Sequence, residues 1–146
     1  MMGKGKKNRI KTSSPNQSQT KGRIAEPSSN KNLHYDDCHP VFCLRYLEDD
    51  YGLDKCTRDQ QADFAKALRK RSQMTWRQIW AAPRHKLGAE KIAINSIKAQ
   101  IPQHITEDID FFIALRFSGK APMVGYRIKD ILRIIWLDSK FTLYEH

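Results

Sequence analysis

The stretch FFIALRFSGKAPMVGYRIKDILRIIWLDSKFTLY, residues 111–144, decides the fold of this chain. Four runs rich in β-branched and aromatic residues are separated in it by short segments rich in Gly, Pro, Asp, Ser and Lys, the pattern of strands joined by turns. The predicted strands cover residues 111–117, 123–128, 131–137 and 141–144. Since connections this short join antiparallel neighbours, the sequence predicts a four-stranded antiparallel meander.

Upstream of the meander the sequence predicts one strand and a pair of helices. Residues 41–47 (VFCLRYL) are strongly β-prone and end at an acidic turn. The tetrapeptides TRDQ at 57–60 and TWRQ at 75–78 both fit the capping box that begins a helix, and Pro83 ends the second helix. The segment 88–101 fits a strand and a helix about equally, so it stays unassigned. The order indicates an α+β domain with helices on one face of a sheet.

Composition narrows the class of protein. The chain has 146 residues, of which 40% are apolar, enough for one domain with a core. No apolar run approaches the roughly 20 residues of a membrane helix, and the first residues lack the apolar stretch of a secretion signal, so we expect a cytoplasmic protein without a membrane partner. The cysteines Cys38, Cys43 and Cys56 include no Cys-x-x-Cys pair, which argues against a disulfide framework and a zinc ribbon.

Residues 1–33 form a basic tail ahead of the predicted domain, 34–146. The tail holds eight cations and one acid, whereas the rest of the chain holds 18 cations and 15 acids. It has no apolar period and is predicted to be disordered. Counterion release from such a segment favours RNA or the ribosome as a partner, and a solubilising tail is the alternative. Its candidate RNA-binding residues are Lys4, Lys6, Lys7, Arg9 and Lys11.

The loops of the meander determine which side chains lie opposite one another. A two-residue loop at 129–130 and a five-residue loop at 118–122 are the connections that the sequence suggests. A slip of one residue in either loop would exchange the two faces of the sheet. The predicted cross-strand pairs are Tyr126 with Arg133, Val124 with Ile135, and Arg116 with Val124.

In this register Arg116, Tyr126 and Arg133 share one face of the meander. Continuing the register into the fourth strand places Tyr144 opposite Ile135, with His146 two residues beyond. The opposite face carries Arg127 and an apolar set suited to packing under the helices: Ile113, Leu115, Phe117, Met123, Leu132, Ile134 and Trp136.

Two arginines and two tyrosines on one face suit phosphodiester cleavage that needs neither a metal nor a cofactor. Attack by a ribose 2′-OH on the adjacent phosphate requires a proton acceptor, a proton donor and cations on the phosphoryl oxygens. Tyr126, Tyr144 and His146 are the candidates for the proton steps, and the candidates for the charge are Arg116, Arg127 and Arg133. The loop residues Arg84, His85 and Lys86 are candidates for gripping RNA phosphates.

The run ALRFSGKAPMVGYRIKDILRIIWLD resembles the end of the RelE/HigB-type toxin family, with an arginine-bearing strand, a strand with Tyr-Arg and an apolar strand. The chain also resembles a group of bacterial proteins with a Thr-Trp helix, here Thr75-Trp76, and a closing Leu-Asp followed by Leu-Tyr-x-His, here 137–138 and 143–146. The resemblance covers about residues 40–144. It implies a bacterial endoribonuclease, acting on free or ribosome-bound RNA, that a partner antitoxin neutralises.

Two other classes of function fit the same residues. One is a non-catalytic RNA- or ribosome-binding module, in which the tail supplies affinity and Tyr126 and Tyr144 stack on bases. The other is a protein-interaction domain with an incidental tail. Discrete RNA fragments with cyclic or 3′-phosphate ends would distinguish the enzyme from both.

Overall fold

The computed structural model describes residues 34–146. The five candidate cations of the tail, between Lys4 and Lys11, therefore lie outside the described residues. Within residues 34–146 no helix has both the length and the apolar character needed to cross a membrane.

The described residues form a five-stranded mixed sheet with the strand order β1-β5-β4-β3-β2. Strands β2 to β5 form a four-stranded antiparallel meander, and β1 adds to it in parallel beside β5. The predicted α+β fold, with an N-terminal strand, two helices and an antiparallel meander, is thereby confirmed. The strands are β1 (Val41–Cys43), β2 (Ala89–Ala93), β3 (Phe111–Ser118), β4 (Ala121–Ile128) and β5 (Ile131–Leu137).

Two helices connect β1 to the meander, and both begin where the sequence predicts. Helix α1 covers Arg58–Ser72 and helix α2 covers Trp76–Ala81. In each capping box the threonine side chain accepts a hydrogen bond from the third backbone N–H of the helix, and the glutamine at that position accepts one from the threonine N–H. Ala82 is extended because the next residue is a proline, and α2 ends there.

The first and last strands of the meander are not the predicted ones. The unassigned segment supplies β2 as its first strand, whereas residues 141–144 form a turn rather than the predicted last strand. The cause of the turn is Asp138, whose carboxylate accepts hydrogen bonds from the backbone N–H groups of Thr142 and Leu143 at 2.8 and 3.1 Å. These two N–H groups are thus satisfied without a neighbouring strand. The predicted strand at 41–47 is also shorter, because Leu47 N–H donates to Leu44 O in a turn.

A β-bulge in β5 changes part of the predicted register. Tyr126 faces Arg133 as predicted, but Val124 faces Trp136 instead of Ile135, because Ile135 is inserted as an extra residue. Gly125 lies opposite this bulge, and a Cβ there would lie 2.0 Å from Arg133 O, so only glycine permits the close approach of the two strands. The bulge turns Trp136 away from the helix side, where the alternation alone had placed it.

The other hairpin is tighter than predicted. Its loop is the two-residue Gly119-Lys120, with Gly119 at a φ of 56°, rather than five residues. Arg116 consequently lies opposite Pro122, and not opposite Val124. Because Pro122 and Val124 are two residues apart on one strand, Arg116 stays on the predicted face.

Each face of the sheet has its own hydrophobic core. On the helix-covered face, Phe64, Ala67, Trp76 and Ile79 pack on the apolar set of the sheet, with Trp76 fully buried. On the loop-covered face, irregular residues 94–109 and the 138–146 turn cover the sheet, held together by a hydrogen bond from Lys98 N–H to Leu143 O. This second face is therefore closed over most of its area.

Candidate functional site

The six candidate catalytic residues lie at three places rather than at one. Arg116, Tyr144 and His146 meet at one end of the loop-covered face, and Tyr126 pairs with Arg133 at the other. Pro122 and Tyr126, which mark these two ends on β4, are four residues and so roughly 13 Å apart. Arg127 lies on the helix-covered face. The geometry thus selects one three-residue group from the predicted patch.

The selected group is completed by a fourth residue, Asp138, and we refer to the four as the Asp138 cluster. Arg116 Nη1 lies 3.4 Å from the Tyr144 hydroxyl oxygen, and the rings of Tyr144 and His146 stack with their centroids 4.1 Å apart. His146 Nε2 lies 3.0 Å from Asp138 Oδ2. The cluster therefore joins the end of β3 to the turn that follows β5.

Asp138 is the member of the cluster that was not among the candidate catalytic residues. It is fully buried, and its carboxylate bonds the backbone of the turn as well as His146. The Leu-Asp and Leu-Tyr-x-His pattern contained the signal, because the turn that Asp138 forms brings a histidine eight residues later back to its carboxylate. Spacing alone did not show this contact, since it depends on how the turn closes.

The contact with Asp138 determines which nitrogen of His146 carries the proton. An ionised carboxylate only accepts hydrogen bonds, so a His146 ring bonded to it donates from Nε2, and Nδ1 is the nitrogen outside this contact. The His146 side chain is 22% exposed, whereas that of Arg116 is 11% exposed. The His146 ring is thus held by the buried Asp138 carboxylate and remains partly exposed to solvent.

Tyr144 differs from His146 in its proton chemistry. Burial raises the pKa of its phenol, and the nearby Arg116 guanidinium offsets only part of that rise. The phenol therefore stays protonated at neutral pH. This neutral, buried phenol contacts both Arg116 and the His146 ring.

Glu90 balances the charge of Arg116. Its carboxylate bridges two guanidinium groups, with 3.1 Å to Arg116 Nη2 and 3.1 Å to Arg84 Nη1. Of the three predicted phosphate-gripping loop residues, Arg84 is thus brought to the edge of the Asp138 cluster by this bridge. Arg116 is therefore already paired with a carboxylate in this structure.

The second pair of candidate catalytic residues, Tyr126 and Arg133, lies in a buried group of aromatic side chains. Tyr126 is only 4% exposed, and its hydroxyl oxygen lies 3.4 Å from Arg133 Nη1. The ring of His104 stacks on Tyr46 at 4.1 Å and lies 5.9 Å from the Tyr126 ring. Tyr144 is also 4% exposed, so neither tyrosine presents a ring face to solvent, and their stacking on RNA bases stays a prediction.

Arg127 has a structural environment on the other face. Its guanidinium lies 4.5 Å from the centroid of the Trp76 ring, and Nη1 lies 2.7 Å from Asp36 Oδ1. These contacts connect the N-terminal 3₁₀ turn at Tyr35–Asp37 to helix α2 and the sheet. The sequence places Arg127 on the apolar face of the meander. A cation–π contact and an ion pair stabilise its charge in that position.

A cationic cleft of about 350 Å³ lies between α1, the loop after α2 and the end of β3. Two of the predicted loop residues, His85 and Lys86, line it. Arg116 lines it as well, so the cleft borders the Asp138 cluster. Its other charged lining residues are Asp63, Lys66, Lys70 and Arg71.

Comparison of the chain with protein-family models, with curated proteins and with solved structures gives no match, so the resemblance to RelE/HigB-type toxins stays a prediction. Among the described residues no group of three or more His, Cys, Asp or Glu side chains is placed to hold a metal ion. The geometry of the Asp138 cluster and the adjoining cleft carries the functional argument.

Proposed function

We propose that the protein is a toxin-like endoribonuclease that cleaves RNA, free or on the ribosome, by attack of a 2′-OH on the neighbouring phosphodiester. The observation that carries the proposal is the Asp138 cluster. It unites a histidine oriented by a buried carboxylate with an arginine fixed by a buried phenol.

The proposed reaction uses these residues in distinct roles. Nδ1 of His146 accepts the 2′-OH proton, the 2′-oxygen bonds to phosphorus, and the bond to the 5′-oxygen breaks. The leaving 5′-oxygen receives a proton from water or from protonated His146. Arg116 neutralises the charge that develops on the phosphoryl oxygens. The products are a 2′,3′-cyclic phosphate and a 5′-hydroxyl, and no metal or cofactor enters the balance.

Asp138 and Tyr144 are positioning residues in this scheme. Asp138 holds the His146 ring in the tautomer that leaves Nδ1 free, and it stabilises the imidazolium after proton transfer. Tyr144 keeps Arg116 beside the ring. A partner antitoxin would neutralise the activity by covering the Asp138 cluster.

Cleavage of end-labelled RNA by the full chain in the presence of EDTA tests the proposal. We expect fragments with cyclic phosphate ends, and a rate about 10²- to 10³-fold lower for Arg116→Ala, the range for loss of one contact to developing charge. His146→Ala is expected to lose activity to at least the same degree. Arg77→Ala is the matched control, because Arg77 is an exposed arginine whose ion pair with Asp37 includes no member of the cluster.

Expression in growing bacteria gives an independent readout. The parent chain is expected to inhibit growth, the Arg116→Ala and His146→Ala variants are expected to be harmless, and co-expression of a neighbouring antitoxin gene is expected to restore growth. Intact RNA together with unimpaired growth would refute cleavage. Protection of RNA without cleavage would then favour the non-catalytic binding module.

A further inference from the structure

The cationic cleft beside α1 has an excess of charge that the protein itself does not balance. In the part of the chain that the structure describes, no carboxylate forms an ion pair with Lys66, Lys70, Arg71 or Lys86. The one acid in the lining, Asp63, instead accepts a hydrogen bond from Ser118 at 2.7 Å. The four cations and the single carboxylate of Asp63 leave the lining with an excess of positive charge.

Arg71 is the unusual member of this set. It is 1% exposed, and its three hydrogen bonds all go to backbone carbonyl oxygens, those of Ala67, Lys86 and Leu87. Burial lowers the pKa of its guanidinium to about 10, which leaves it charged at neutral pH. Since a guanidinium has five N–H donors, two have no hydrogen-bond partner among the described residues. A buried cation without a carboxylate is costly, and a bound anion would reduce that cost.

The sequence around the cleft is basic throughout. Between Lys66 and Lys86 the chain holds seven cationic residues and no acidic one. Lys66 and Lys70 are four residues apart on α1 and so lie on the same side of the helix. Arg71 holds the loop that carries His85 and Lys86 against α1 through the carbonyl groups at 86 and 87. The two cationic elements are therefore fixed relative to each other.

Size and charge together indicate the ligand class. A volume of about 350 Å³ is at the low end for small-molecule sites and has room for one nucleotide. A single phosphodiester carries one negative charge, whereas a phosphomonoester is close to dianionic at neutral pH. The monoester therefore matches a lining of four cations and one carboxylate better than a diester does.

We propose that this cleft binds a phosphomonoester group of a nucleotide, either a free nucleotide or the 5′-phosphorylated end of an RNA. The ligand is not a product of the cleavage proposed above, which leaves a cyclic phosphate and a 5′-hydroxyl. Binding here is thus a separate property, and it does not require His146 or Asp138.

Equilibrium binding to the full chain tests the proposal with four probes. The probes are AMP, adenosine, and a short 2′-O-methyl RNA, which cannot supply an attacking 2′-OH, with either a 5′-phosphate or a 5′-hydroxyl. We expect AMP, the 5′-phosphorylated RNA or both to bind more tightly than the probe that lacks the monoester. Binding of AMP identifies a free nucleotide as a ligand, whereas a gain confined to the phosphorylated RNA identifies the RNA end.

The double variant Lys66→Gln/Lys70→Gln tests whether the cleft is the site. It removes two exposed charges from the cleft and is expected to raise the Kd of the phosphorylated probe at least about tenfold, as for the loss of charge-assisted contacts. The matched control is Lys129→Gln/Lys140→Gln, two exposed lysines that do not line the cleft. It should bind like the parent.

Three results would overturn the proposal. They are equal binding of probes with and without the monoester, failure of both phosphorylated probes to bind, and an unchanged Kd in the cleft variant. The binding proposal and the cleavage proposal can fail independently. His146→Ala should lose RNA cleavage and keep full affinity for the phosphorylated probe.

Discussion

The two faces of the sheet bury side chains in different ways. The helix-covered face is closed by two capped helices, and its centre is Trp76, Ile79 and the apolar alternation of the strands. The loop-covered face is closed by irregular residues 94–109 and the 138–146 turn, and it contains the Asp138 cluster and the Tyr126–Arg133 pair. Regular helices thus cover one hydrophobic core, while the core that adjoins the Asp138 cluster is covered by chain without long helices or strands. The candidate catalytic residues on this face therefore lie under a segment that individual hydrogen bonds hold in place.

The largest expected effect on stability is on the helix-covered face. Trp76→Ala should lower the free energy of unfolding by about 3–5 kcal/mol, because it empties a fully buried aromatic site and removes the hydrogen bond from Nε1 to Asp130 O. Trp80 packs against the same core but is only half-buried, so Trp80→Ala should cost less. Chemical denaturation of both variants measures the difference. Equal costs would contradict the assignment of Trp76 to the centre of this core.

An intermediate effect is expected at Asp138 on the loop-covered face. Asp138→Ala should cost about 1–3 kcal/mol, since the backbone N–H groups of Thr142 and Leu143 lose an acceptor that is itself buried. Asp138→Asn retains one acceptor oxygen and is expected to cost less. Denaturation midpoints of the two variants test this order. A neutral Asp138→Ala variant would mean that the turn closes without the carboxylate.

The smallest effect concerns the pH dependence of stability at Tyr144. Burial raises the pKa of this phenol above its ordinary value near 10, so the folded protein keeps the proton at a pH where the unfolded chain has released it. Stability contributed by Tyr144 is therefore present below pH 10 and is lost as the pH rises through the folded pKa.

The matched variant Tyr144→Phe isolates this contribution from other groups that titrate in the same range, Arg71 among them. The free energy of unfolding of the parent should fall relative to that of Tyr144→Phe between about pH 9 and 11. Denaturant titrations at several pH values measure the difference. A constant difference across this range would indicate that the phenol is exposed to solvent.

Local patterns made much of the fold predictable. The capping boxes act over three residues, and the 129–130 loop pairs Tyr126 with Arg133 across a few residues of chain. The predicted face of Arg116 was also correct, although its predicted partner, Val124, was not. The actual partner, Pro122, is two residues away, and residues two apart on a strand point to the same face. These features depend on neighbours in sequence.

The sequence by itself therefore determined the helix starts, the antiparallel meander and the sharing of one face by Arg116, Tyr126 and Arg133. Tertiary structure alone decided the bulge at Ile135, the cover over the second face and the separation of the candidates into three places. It also joined Arg116 to Tyr144, 28 residues apart, and Arg71 to Lys86, 15 residues apart. The physical reason is that a bulge or a side-chain contact depends on which distant segments meet, whereas caps and alternation are satisfied within a few residues.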